Sequence, residues 1–342
     1  MAASNVQTLW LAETAGVYRT TDRVVHVRGD DAQSWLNGQV SNDVRTLSAD
    51  EGRYAVTLTV KGRVVSDLWA VDDAPDMAVV LPGRALDTAL ARFDKHIIME
   101  DVELEADDEL VVLTVQGPRA AEVMSAVPEG LRRYTAARLG TVGFDCWVPA
   151  AQADQTHAAL VARAEALGGG GLDEAAWERA HVALAVPRFG VDFGEDTYPQ
   201  EAGIGARALS FGKGCYLGQE VVYMLHNRGQ LARRLVQLES EAEREVTPGT
   251  PVTDADGKRL GEVTSHDRDD WRSLCLAYVK RAASDPEQTV WLAGSPWRVR
   301  RVVGASERRP TPVAPIARRA PRAHIGLEAR TSTEAFKERA RP

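Results

Sequence analysis

Lys213-Gly214-Cys215-Tyr216-Leu217-Gly218-Gln219-Glu220 places an amine, a thiol, a phenol, an amide and a carboxylate within eight residues. That is too much polar chemistry for a core strand and too little charge repetition for a solvated face. The two glycines let the backbone approach a neighbour closely or adopt φ > 0. Val221, Val222 and Leu225 follow at helical spacing, and Gly229 stands where a C′ glycine ends a short helix. The spacing predicts a tight loop feeding a helix near residues 218–227. Cys215 would then precede a helix N-terminus and lie beside Lys213, and both favour a thiolate. The competing reading is a buried structural cysteine in a turn, because free cysteine usually packs as a small hydrophobe.

The octapeptide resembles the K-G-C-Y-x-G-Q-E motif of the YgfZ family. Those are folate-binding proteins related to the T-protein (aminomethyltransferase) of the glycine cleavage system, and they support iron–sulfur enzymes. Further segments carry the resemblance over roughly residues 15–303. Leu36-Asn37-Gly38-Gln39-Val40-Ser41-Asn42-Asp43 is similar to the family's L-x-G-Q-x-T-N-D, with Ser41 for Thr. Arg188-Phe189-Gly190-Val191-Asp192 and Pro199-Gln200-Glu201-Ala202-Gly203 resemble R-F-G-x-D and P-x-E-A-G. Gly143-Phe144-Asp145-Cys146-Trp147-Val148-Pro149 resembles the T-protein's G-F-E-I-x-V-P, whose glutamate holds the pterin ring. On that match Asp145 is the pterin candidate, and a carboxylate can accept two parallel N–H bonds from such an edge. A strand acid facing solvent is the alternative. Asn42, Asp67, Gln219 and Glu220 complete the candidate folate-site residues; Lys213, Cys215 and Tyr216 form the candidate thiol environment.

Three departures stand out. The T-protein's G-G-I-x-D-D-L segment, with its catalytic aspartate, reads Gly62-Arg63-Val64-Val65-Ser66-Asp67-Leu68. Ser66 at the first acid argues against aminomethyl transfer. The family's R-I-E-x-G helix end reads His181-Val182-Ala183-Leu184-Ala185, and an arginine of the family is Met224 here.

Composition narrows the class. At 342 residues with 44% hydrophobic content, two or three domains can each bury a core. No apolar run approaches the ~20 residues that cross a bilayer, and Met1–Asn5 has no signal-peptide character. Cys146, Cys215 and Cys275 are far apart with no C-x-x-C, so neither a disulfide framework nor a Cys₄ metal or cluster site is expected. A reducing cytoplasm is the simplest compartment. The histidines are scattered, without H-x-x-x-H, so no protein-only zinc site is expected. Residues 306–342 hold nine Lys/Arg against four Asp/Glu and are +5; with the net charge of −8 this leaves −13 on the preceding residues. An acidic body is poorly suited to holding nucleic acid through phosphates, and no membrane partner is expected.

Along the chain, residues 24–28, 54–60, 64–71, 110–115 and 141–149 read as strands. Residues 84–97, 120–126, 158–167 and 174–185 read as helices, with Asp30 as N-cap of another through Trp35 and Leu36. Gly168–Gly171 reads as a flexible linker. From Arg233 short strands alternate with turns, Asp256-Gly257 among them, which predicts a small β-barrel. The expected fold is α+β: a folate-binding region over residues 1–231 made of two intertwined subdomains with antiparallel sheets, a barrel over 232–304 and a disordered basic tail. The function implied by the resemblance is a monomeric tetrahydrofolate-binding accessory factor whose partners are iron–sulfur client enzymes or assembly proteins. A folate-dependent aminomethyltransferase and a folate-binding scaffold without chemistry are the alternatives.

Overall fold

The computed structural model describes residues 10–227, 230–268 and 272–305. Gly229 as a helix terminator, and the tail with its expected disorder, lie outside the described residues. Strand β1 (Gly16–Arg19) opens one sheet, and the chain leaves it at once to build another. That other sheet holds β2 (Asp22–Arg28), β3 (Gly52–Leu58), β4 (Val64–Asp73), β5 (Asp76–Pro82) and β6 (Glu103–Asp107). Its order is β3-β4-β5-β2-β6, antiparallel throughout. Helices α1 (Ala32–Gln39) and α2 (Leu86–Asp94) cover one face, where Trp35, Leu36 and Phe93 pack on Val25, Leu68 and Ala70. α2 is shorter than the periodicity predicts, because Gly83–Ala85 forms a 3₁₀ turn before it. Asp31 rather than Asp30 precedes α1, with no side-chain cap; its carboxylate accepts from the Asp101 N–H instead.

The chain then returns to the sheet of β1 with β7 (Leu110–Gln116), α3 (Ala120–Val123), β8 (Arg133–Thr135), β9 (Gly143–Pro149), α4 (Ala150–Glu165) and β10 (Gly170–Gly171). The order is β10-β1-β7-β9-β8, and β1 (Gly16) is thus paired with strands far along the chain, at Gln116 of β7 and Gly170 of β10. The β1–β10 pair is parallel. The glycine run is therefore not a flexible linker. A Cβ on Gly169 would stand 2.1 Å from the Ala15 carbonyl oxygen and one on Gly170 2.7 Å from the Trp10 ring, so glycine is needed for close packing. The two sheets meet through Val24, Trp69, Val71 and Val80 on one side and Val112, Tyr134 and Trp147 on the other.

Helix α5 (Glu174–Leu184) follows, capped by the Asp173 carboxylate on the Ala176 N–H. It ends at Ala185, which is held left-handed at φ 56°, ψ 45°. That is the position where the resembling family has glycine, and a Cβ is strained there. Ala185→Gly is expected to raise stability by about 1 kcal/mol in chemical denaturation. Helices α6 (Gly205–Ala208) and α7 (Gln219–Asn227) lead to the barrel of β11 (Arg233–Ser240), β12 (Pro251–Thr253), β13 (Arg259–Arg268), β14 (Ser273–Lys280), β15 (Thr289–Leu292) and β16 (Ser295–Val302). The barrel closes in the order β11-β14-β13-β12-β15-β16. It docks on α5: buried Gln237 donates to the Val182 and Ala183 carbonyls, which the helix leaves open at its end. Among the described residues no helix is long and apolar enough to cross a membrane.

Candidate functional site

A cavity of about 120 Å³ lies where the two sheets, α5 and the segment after it converge. Strand β4 supplies its floor. Side chains alternate along a strand, so Ser66 faces the α1/α2 layer with Leu68 and Ala70, while Asp67 shares the cavity face with Trp69. Ser66 is fully buried and donates to the Asp67 carbonyl. Ser66, at the place of the family's first acid, therefore lies off the cavity, and Asp67, at the second, provides a carboxylate on its wall.

Asp67 Oδ2 accepts from the Tyr54 hydroxyl at 2.9 Å; Oδ1 is buried and has no protein partner. Burial raises its carboxyl to about 6, although the Tyr54 hydrogen bond pulls the other way. Two aromatic pairs share the lining with it: Trp69 lies 5.4 Å from Tyr54, and Trp177 stacks on Tyr18 at 4.6 Å. Glu174, Trp177 and His181 project from one face of α5. His181 Nδ1 lies 2.9 Å from the Val186 carbonyl and so must carry the proton; burial lowers its pKa to about 3 and keeps it neutral. Arg207, over the Tyr54 ring at 4.9 Å, adds a cation to the wall.

Asp145 does not reach this cavity. It is 0% exposed, and Arg138 stands in front of it, donating to both carboxylate oxygens, with the Tyr134 hydroxyl as a further donor at 3.1 Å. The remaining arm of Arg138 reaches Asp22 at 2.6 Å. Burial works against the Arg138 charge, but Asp145 and Asp22 outweigh it and hold the guanidinium well above its usual range. The expected pterin carboxylate is thus a buried counter-ion, and it is Arg138 that lines the cavity. Asn42 is also structural: its amide donates to the Tyr54 and Arg207 carbonyls. Gln219 and Glu220 open α7 and do not line the cavity. Of the proposed folate residues only Asp67 is on the wall.

The octapeptide forms a second, exposed feature. Cys215 is exposed, whereas Cys146 and Cys275 are buried, and burial pushes the Cys146 thiol up to about 12. Lys213 is not the thiol's partner. The residue is 6% exposed, and its ammonium donates to the carbonyls of Asn37, Val40 (2.6 Å) and Asn42 (2.8 Å). Burial lowers its pKa to about 7 and Asp43 opposes this; three acceptors require all three N–H groups of the charged form. Tyr216 is buried among Val56, Leu58 and Val222, with its ring 5.1 Å from the Lys213 ammonium. Gly218, at φ 82°, backs onto the β3–β4 turn, where a Cβ would stand 2.5 Å from the Thr59 carbonyl oxygen. Gly214 has open space around it, so only the second glycine is sterically required. Met224, where the family has arginine, is half exposed on α7.

The sequence reading missed Arg138, Trp177, His181 and Arg207. Trp69 was accessible to it, standing two residues after Asp67 on one strand face.

Residues 12–212 match the model of the GCVT N-terminal domain family. The tRNA-modifying protein YgfZ of Aliivibrio fischeri is 26% identical over 268 residues, 76% of this chain and 83% of the relative. An aminomethyltransferase of Rubrobacter xylanophilus is 28% identical over 277 residues, 75% and 73% of the two chains. Among solved structures, the glycine cleavage system aminomethyltransferase T from Bartonella henselae superposes with a TM-score of 0.75 at 20% identity, covering 86% of this chain and 87% of that one.

Proposed function

The chain belongs to the GCVT N-terminal domain family, and from that premise we propose that it binds a reduced folate in the cavity and presents Cys215 to partner proteins in iron–sulfur cluster assembly or repair. One observation carries the folate reading: a buried carboxylate oxygen of Asp67 without a protein partner, at the wall of a cavity flanked by aromatic rings. Such an acceptor is costly unless a ligand donor meets it. The residues fit a pterin. Asp67 would accept from its N–H edge, Trp69 and Trp177 would face its ring, and Arg207 would answer its polar rim. When bound, the folate supplies nitrogens able to carry or release a one-carbon unit. Asp67 and neutral His181 hold acceptors in place, and the aromatic walls exclude water.

The relatives' name attaches them to tRNA modification. An acidic body of −13 is unsuited to gripping tRNA itself, so the connection we propose runs through a modifying enzyme that the protein supports in the cytoplasm. In a deletion strain, iron–sulfur enzyme activity should fall, recover with the wild-type gene and fail to recover with Cys215→Ser. Full recovery with Cys215→Ser would leave a folate-binding scaffold. In the purified protein, Cys215 should be alkylated on the order of tenfold or more faster than Cys146 and Cys275, since buried thiols are inert. Equal rates for the three would remove the working-thiol reading.

Aminomethyl transfer is the second reading, favoured by the place of Asp67 in the cavity. Methylenetetrahydrofolate formed from a loaded carrier protein would establish it.

A further inference from the structure

The motif of residues 36–43 and the octapeptide, far apart in sequence, are one hydrogen-bonded unit. Ser41 Oγ donates to the Ala208 carbonyl at 2.6 Å, the Ser210 N–H to the Ser41 carbonyl at 3.0 Å and the Asn42 amide to the Arg207 carbonyl at 3.0 Å. Lys213 ends this zip. Its ammonium enters the carbonyls of Asn37, Val40 and Asn42, at the C-terminal end of α1, which has no basic residue in its own last turn. A cation is favoured at that negative end of the helix dipole. Beyond Lys213 the chain is exposed at Gly214 and Cys215, and it is pinned again where Gly218 meets Thr59 and Gly62. Cys215 therefore stands on a short arch between two fixed points. The lysine is turned inward and the thiol outward.

We infer that Lys213 is a tethered cation that positions the Cys215 arch by filling a backbone carbonyl cage, and not a charge that activates the thiol. It is a positioning residue, and its relevance to function rests on the reading that Cys215 is the working thiol. The cage itself is a latent site for a primary ammonium ion: three convergent carbonyl oxygens match three N–H donors.

Lys213→Ala removes a propylammonium equivalent, so n-propylammonium is the probe. The variant should melt several degrees below the wild type, and millimolar propylammonium should restore most of the loss. Tetramethylammonium, which has no N–H, should restore none. The pH at which Cys215 alkylation is half-maximal should be unchanged in the variant. A half-maximal pH raised by about one unit, which is ~1.4 kcal/mol of lost thiolate stabilisation, would overturn the inference, as would equal rescue by both ions or by neither. Should Lys213→Ala not fold, Lys213→Met decides. A melting temperature equal to the wild type would overturn the inference, and a loss of several degrees would support it. None of these readouts involves folate or a client enzyme. A failed cage leaves the folate and client assays intact, and a failed client assay leaves the cage measurements standing.

Discussion

Arg138→Met should cost about 3–5 kcal/mol of folding stability, the usual price of removing one partner from a buried ion pair. The cation serves two carboxylates, Asp145 at 0% exposure and Asp22 at the cavity edge, and once it is gone only neutral hydroxyls, those of Tyr134 and Thr114, are left to donate to Asp145 among the described residues. The orphaned charge must then protonate or unfold its surroundings. Asp145→Asn in the same chain should recover part of the loss, because it removes that charge while keeping the shape. Chemical denaturation of the two single variants and the double variant measures this. Additive losses would mean that the two residues act independently, against the geometry.

Asp67→Asn should weaken tetrahydrofolate binding by about 1.5–3 kcal/mol, roughly ten- to more than a hundredfold, as expected for a lost hydrogen bond to a charged group. The same change should stabilise the empty protein. The folded-state value of Asp67 is raised to about 6 from 3.8, so the folded chain binds the proton more tightly than the unfolded one. Stability from this group is thus greatest at low pH and is lost as pH rises through about 6. At pH 7 the asparagine variant escapes that cost and should gain about 1–3 kcal/mol. Ligand affinity should run the other way, falling as pH drops below about 6 and the carboxylate is neutralised. Denaturation and ligand titration at pH 5 and pH 7.5 test both signs. A variant that loses stability at pH 7.5 would mean that the ionised carboxylate is satisfied without a ligand.

The layers of the fold were legible because their signals are local. A hairpin turn at Lys61-Gly62-Arg63 marked β4, an apolar run carrying one acid marked β9, turn residues marked the barrel, and the octapeptide marked a loop feeding α7. What was hidden depended on contacts that no spacing encodes. Adjacent Ser66 and Asp67 must face opposite sides of β4, yet the strand pattern does not say which side holds the cavity. Asp145 sits on a strand whose partner Arg138 comes from the loop before it, so a carboxylate that resembles a ligand residue proved to be a counter-ion. Lys213 stands two residues from Cys215, and proximity in sequence suggested a charge effect. Its amine instead reaches back to α1, a contact between segments about 170 residues apart. The four-glycine run looked like a linker because composition carries no information about Trp10 and Ala15 packing against it.

The central claim is that the Asp67 cavity holds a reduced folate. Calorimetric titration of the full chain with tetrahydrofolate, under anaerobic reducing conditions at pH 7.5, tests it most directly. One saturable site per chain is expected, weakened at least tenfold by Asp67→Asn and unchanged by Cys215→Ser. No saturable binding up to millimolar tetrahydrofolate, or binding that Asp67→Asn leaves untouched, would contradict it.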